Sequence, residues 1–100
     1  MEAALEHLTQ TDEDYALEKT ELERATIRCK RVRARAFLMA DGPNADARKA
    51  KAEVAPEVEQ ADDDYCKTML AFEKLKASRE RAEIVIRAFQ TVEATRRAKL

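Results

Sequence analysis

One hundred residues carry 19 Lys and Arg against 20 Asp and Glu, with 45% hydrophobic, 39% charged and 5% aromatic residues, one Gly, two Pro and no Trp. A chain of this length builds one domain, near the small end of the sizes that bury a useful core. The bias toward Ala, Glu, Lys, Arg and Leu is that of long helices or coiled coils, strand signals are missing, and no run approaches the roughly 18 apolar residues of a membrane span.

In chain order, residues 2–8 have the composition of a short helix, with a break expected around residues 9–11. A long helix is predicted over about 12–40, with Thr11 as its cap and Asp12, Glu13 and Asp14 stabilised by the positive helix end. Its stop is Asp41-Gly42-Pro43-Asn44, where Gly42 suits a left-handed terminal residue and Pro43 cannot continue the helix. Residues 41–56 read as a connector with a marginal helical piece over 45–54. Pro56 suits the first position of a second long helix, predicted over about 57–97. At about 1.5 Å per residue the two long helices span roughly 40 and 60 Å, and a helix over 2–8 would lie beside the overhang.

Both long segments carry a sevenfold apolar repeat. Leu8, Tyr15, Leu22, Cys29 and Ala36 recur in the first, with Ala25, Val32 and Met39 three residues on. Val58, Tyr65, Phe72 and Ile86 recur in the second, joined by Ala61, Leu75, Ala82 and Phe89, with Arg79 as the odd member. Such seams pair helices. Charge selects the direction: residues 12–23 hold six acids against Lys19, residues 24–40 six bases and no acid, and residues 57–64 five acids and no base. Residues 76–100 hold seven bases against Glu80, Glu83 and Glu93. An antiparallel hairpin sets acid against base, whereas parallel pairing of two chains sets like against like. The expected fold is all-α, a long antiparallel helical hairpin with a short connector, completing a bundle by dimerisation or by docking a partner.

Catalytic chemistry has little support. There is no Gly-rich phosphate loop and no nucleophile paired with a histidine. His7 lacks a second spaced ligand, and the consecutive Asp62, Asp63 and Asp64 point in different directions on a helix, so no metal or cofactor is expected. Arg24, Arg28, Arg31 and Arg35 form one stripe, with Lys30 and Arg33 beside it. It reads either as a phosphate-binding ridge or as a solvated face neutralised by Asp62–Asp64. Cys29 and Cys66 are too few for a secreted disulfide framework, and residues 1–10 lack a signal-peptide core, so a reducing cytoplasm is expected. A tight hairpin pairing Ala40 with Glu57 would put the two thiols at nearly equal depth. Ile84, Val85, Ile86, Phe89 and Val92 span more than one helical face, which asks for a third surface from residues 2–8, a second subunit or a foreign helix.

Residues 16–25 (ALEKTELERA), the helix end at residues 37–42, Ala55-Pro56-Glu57-Val58, and Arg79-Glu80-Arg81-Ala82-Glu83 through Arg97 resemble small helical accessory proteins of tailed phages and prophages. The resemblance covers most of the chain and rests on helix-rich motifs. It implies an accessory to recombination or replication, or an inhibitor of a host defence complex, in the cytoplasm of a bacterial host. The reading that follows is a non-enzymatic protein that binds itself or a partner through Val85, Ile86, Phe89 and Val92, with Arg87 and Arg96 around them. A nucleic-acid accessory using Arg24, Arg28, Arg31 and Arg35, or a purely structural bundle, is the alternative.

Overall fold

The computed structural model describes residues 1–99 as three helices, α1 (Glu2–Met39), α2 (Ala45–Glu53) and α3 (Pro56–Lys99). The hairpin is the one the charge pattern predicts: α1 and α3 lie antiparallel along most of their length, and α2 fills the turn. The molecule measures 79 × 23 × 14 Å, so its least dimension is little more than the ~10–12 Å of one helix. There is no second layer, and the seam between α1 and α3 is the core.

On α1 the seam takes the sevenfold positions without interruption. Ala4, Leu8, Thr11, Tyr15, Glu18, Leu22, Ala25, Cys29, Val32 and Ala36 are all buried or half-buried, while most of the helix between them is exposed. This continuity is why the helix begins at Glu2 rather than at Thr11. Ala4 and Leu8 have a place against α3, and the break expected over residues 9–11 does not occur. The Thr11 hydroxyl, expected to cap, donates instead to the His7 carbonyl at 2.7 Å inside the helix.

The far end also departs from expectation. No residue among those described has a positive φ, so Gly42 does not serve as a left-handed cap. Ala40 turns out of the helix in extended conformation, and Gly42 is needed for closeness. A Cβ there would sit 3.1 Å from Arg48 Cγ and 3.2 Å from Ala47 Cβ. Asn44 caps α2, its side chain accepting from the Ala47 amide at 2.8 Å. Ala52 then packs with Ala36 and the fully buried Val58, with Val32, Phe37 and Ala55 around them. Since α2 takes over this packing, Met39 is left 78% exposed, although it continues the seam's spacing.

Register is pinned by polar contacts at both ends. Near the turn, Arg33 holds Asp62 with two hydrogen bonds of 2.8 and 2.9 Å and lies 3.7 Å from Glu53, while Cys29 Sγ donates to the Ala61 carbonyl at 3.2 Å. At the distal end Arg79 donates to the Leu8 carbonyl, Thr11 Oγ1 and Asp12 Oδ1 at 2.9, 2.8 and 2.7 Å. Its guanidinium lies 5.0 Å from the centre of the Tyr15 ring, which in turn meets Phe72 at 5.4 Å. The Ser78 hydroxyl gives its hydrogen to the Leu75 carbonyl, so His7 Nε2 is the donor in the 3.0 Å contact with Ser78 Oγ.

With Cys29 on Ala61 and Arg79 on Thr11, the register sets Leu8 level with Ala82, Ala25 with Tyr65 and Ala4 with Ile86. One layer is discordant. Glu18 faces the Phe72 level, and its Oε2 is buried without a hydrogen-bond partner. An unsatisfied buried oxygen costs about 1–3 kcal/mol. Glu18→Leu should therefore raise the melting temperature while keeping the helical circular-dichroism signal. Arg79→Ala, which removes charge-assisted bonds worth about 2 kcal/mol, should lower it by roughly 8–16 °C.

Candidate protein-docking face and basic ridge

With Ala4 level with Ile86, α1 ends opposite Phe89, and residues 90–99 of α3 run on alone for about 15 Å. Ile86 is half-buried toward α1. Val85, Phe89 and Val92 remain 47, 43 and 63% exposed. At about 100° per residue, steps of four, three, four and three put Val85, Phe89, Val92, Arg96 and Lys99 on one stripe. Arg96 borders the apolar part, its guanidinium 3.3 Å from Glu93 and 72% exposed.

The six residues expected to bind protein therefore divide. Val85, Phe89, Val92 and Arg96 share a face, Ile86 belongs to the intramolecular seam, and Arg87, about 200° from both Val85 and Phe89, points to the other side of the helix. The start of α1 absorbs part of the apolar surplus by covering Ala82 and Ile86, and leaves the rest. Ile84, 60% exposed, lies outside both surfaces.

The ridge is intact. Arg24, Arg28, Arg31 and Arg35 are all exposed on one flank of α1. The expected neutralisation by the three aspartates does not reach them. Asp62 is taken by Arg33, on the opposite flank; Asp64 accepts from Gln60 on its own helix at 3.0 Å; Asp63 is exposed. Arg24 pairs with Glu21 of the same helix at 3.1 Å. Among the described residues, Arg28, Arg31 and Arg35 make no ion pair. Ile27, 48% exposed, lies beside them.

The two thiols do not meet. Cys29 is buried and Cys66 exposed, because Cys29 lies on the seam of α1 whereas Cys66 follows the seam residue Tyr65 and is turned about 100° away from it. Cys29 faces Ala61, and Cys66 lies on the outer side of α3. Burial pushes the Cys29 thiol above its ordinary range, and the nearby Asp62 carboxylate adds to this against the smaller opposing effect of Arg33 and Arg28. The groove beside it, about 270 Å³, is bordered by Thr26, Lys30, Arg33, Asp62 and Tyr65. Among the described residues no cluster of three His, Cys, Asp or Glu side chains suits a metal ion, and no helix is long and apolar enough to cross a membrane.

Sequence reasoning missed the Arg33 clamp on Asp62 and Glu53 and the fourfold use of Arg79. The signal for Arg79 was its place on the seam, since a charged side chain there must find partners across it. Nothing in the sequence ties Arg33 to Glu53 without α2 in position. No protein-family model, no curated protein and no solved structure matches this chain.

Alkylation distinguishes the thiols. Cys66 should react with iodoacetamide promptly at neutral pH and Cys29 only after unfolding or under strongly alkaline conditions, as read by mass spectrometry. A raised folded-state value favours the protonated thiol. The stability it contributes is complete below the unfolded thiol's range and is lost as pH rises through the folded one. Wild type should therefore lose more stability than Cys29→Ala as pH is raised through that window.

Proposed function

We propose that the chain is a non-catalytic binding protein that takes a protein partner on the free stripe of α3, with Val85, Phe89 and Val92 as apolar anchors and Arg96 at the rim. The observation that carries this reading is that three exposed apolar side chains share one stripe of α3 where α1 runs out. An apolar centre bordered by Arg is the composition in which a few residues dominate protein–protein affinity. The mechanism is occupancy: a rigid hairpin presents one helix end and masks or recruits what it binds. The resemblance to phage accessory proteins implies a setting in recombination or replication, or against a host defence complex.

Val85→Glu or Val92→Glu should weaken partner capture at least about tenfold, the equivalent of ~1.4 kcal/mol, with helicity unchanged by circular dichroism. Ala71→Glu, an exposed position away from the apolar stripe, should bind as wild type. Equal capture by all three variants would remove this face from the function.

A second reading has its own observation, the exposure of Arg28, Arg31 and Arg35 without ion-pair partners. A stripe of four arginines over residues 24–35 extends about 16 Å along the helix and suits a phosphate backbone more than an apolar surface. If it binds single-stranded DNA, affinity should fall steeply with salt. Arg28→Glu with Arg31→Glu should then abolish binding, whereas losing two phosphate contacts alone would reduce the logarithmic salt slope by about 1.4. Binding at low salt that survives the double substitution would exclude the ridge.

A further inference from the structure

We propose that the outer face of α1 over residues 17–38 docks on an anionic lipid bilayer, with Leu17, Ile27 and Leu38 entering the headgroup layer and Arg24, Arg28, Arg31 and Arg35 holding lipid phosphates. The proposal is independent of the α3 stripe. It uses the ridge of the second reading and puts lipid phosphates where that reading puts a nucleic acid.

At about 100° per residue the four ridge arginines share about 100° of arc with Leu17, Thr20, Ile27 and Leu38, and between residues 17 and 38 that arc holds nothing else. All of these side chains are exposed, Leu17 by 60% and Leu38 by 81%, and Ile27 lies among Arg24, Arg28 and Arg31. The arc is centred about 130° from the seam, so α3 and its acids at residues 57–64 stand behind α1 as seen from it. Glu21, just outside the arc, is paired with Arg24, and Glu13, one turn before Leu17, closes the face on the N-terminal side.

The spacing of the apolar side chains identifies the occupant. Leu17, Ile27 and Leu38 stand roughly 15 and 17 Å apart along the helix, with arginines between them. A helical partner or a groove takes apolar anchors one turn apart, at i, i+3, i+4 and i+7, which is the pattern of Val85, Phe89 and Val92 and not of this face. A nucleic-acid backbone engages the arginines and leaves Leu17 and Leu38 in water. The interface of a bilayer is fluid: it admits isolated apolar side chains wherever they fall and brings a phosphate to each guanidinium, which binds it through paired hydrogen bonds. The chain as a whole carries a net charge of −1, so the attraction is local to this face and requires anionic lipid.

The test uses the full chain and vesicles of phosphatidylcholine alone or of equimolar phosphatidylcholine and phosphatidylglycerol. In flotation at low salt the chain should rise with the anionic vesicles and not with the neutral ones, and the bound fraction should fall as salt increases. Arg28→Glu with Arg31→Glu should weaken this binding at least about tenfold. Leu17→Ser with Leu38→Ser should weaken it several-fold while leaving any binding to a single-stranded oligonucleotide unchanged, and both pairs should keep wild-type helicity. The chain has no Trp, so Leu38→Trp introduces a single reporter, whose emission should shift to the blue on anionic vesicles and be quenched by brominated acyl chains. Leu70→Trp, exposed on the outside of α3, should do neither. Absence of binding to anionic vesicles at low salt overturns the proposal and leaves the single-stranded DNA reading to its own test. Vesicle binding that survives the arginine substitutions, or that leaves Leu38→Trp as solvated as Leu70→Trp, overturns it as well.

Discussion

The register of α1 on α3 is held at two places, the Arg33 clamp on Asp62 and the Arg79 contacts with Leu8, Thr11 and Asp12, separated by about 25 Å along α3. A seam rich in Ala cannot set its own register strongly, because small side chains interlock weakly and a heptad slip would still bury apolar surface. Six of the nine buried residues are Ala, so discrimination falls to the polar contacts. Arg33 keeps its clamp on Asp62, and Arg79 its bonds to Leu8, Thr11 and Asp12, only in this register. The best-buried cluster, at Ala36, Ala52 and Val58, lies where α2 joins the hairpin.

Once register is set, the free surface follows from lengths. α1 has 38 residues and α3 has 44, and the turn with α2 determines which end of α3 is left over. The excess falls where α3 is richest in β-branched and aromatic side chains. The same apolar series that closes the seam at Ile86 therefore continues onto open surface at Phe89 and Val92. The binding face is an extension of the core, which explains why its residues divide between the two roles within one helical turn.

Charge works at two scales. Along the whole rod, the opposed gradients of α1 and α3 favour antiparallel folding through many weak, screened interactions. Locally, few acids and bases touch. Arg33 with Asp62 and Glu53, and Arg79 with Asp12, are the ion pairs between helices among the described residues. The ridge remains uncompensated because its arginines occupy the flank of α1 turned away from Asp62. A charge balance counted along the sequence is thus satisfied in sum while one face of the helix stays basic.

The all-α class, the antiparallel hairpin, the seam positions from Leu8 to Ala36 and from Val58 to Ile86, and the first turn of α3 at Pro56 were legible from residue order. Each depends on periodicity, on proline's fixed φ, or on charge summed over many residues, and none needs a known distance. The roles of Gly42, Cys66, Met39 and Arg33, and the division of Ile86 and Arg87 from Val85, Phe89 and Val92, were not read there. Cys66 and Arg87 face outward by helical phase, which residue order already holds; the others depend on how far the turn spreads the helices and on the register that results. A heptad pattern says which side of a helix is apolar but not how much of that side a finite partner reaches. The sequence by itself determined that α1 and α3 must pair and in which direction. Only the tertiary structure, by placing α2 in the turn and Arg79 across the seam, decided where α1 runs out and which apolar residues of α3 are left for something else to cover.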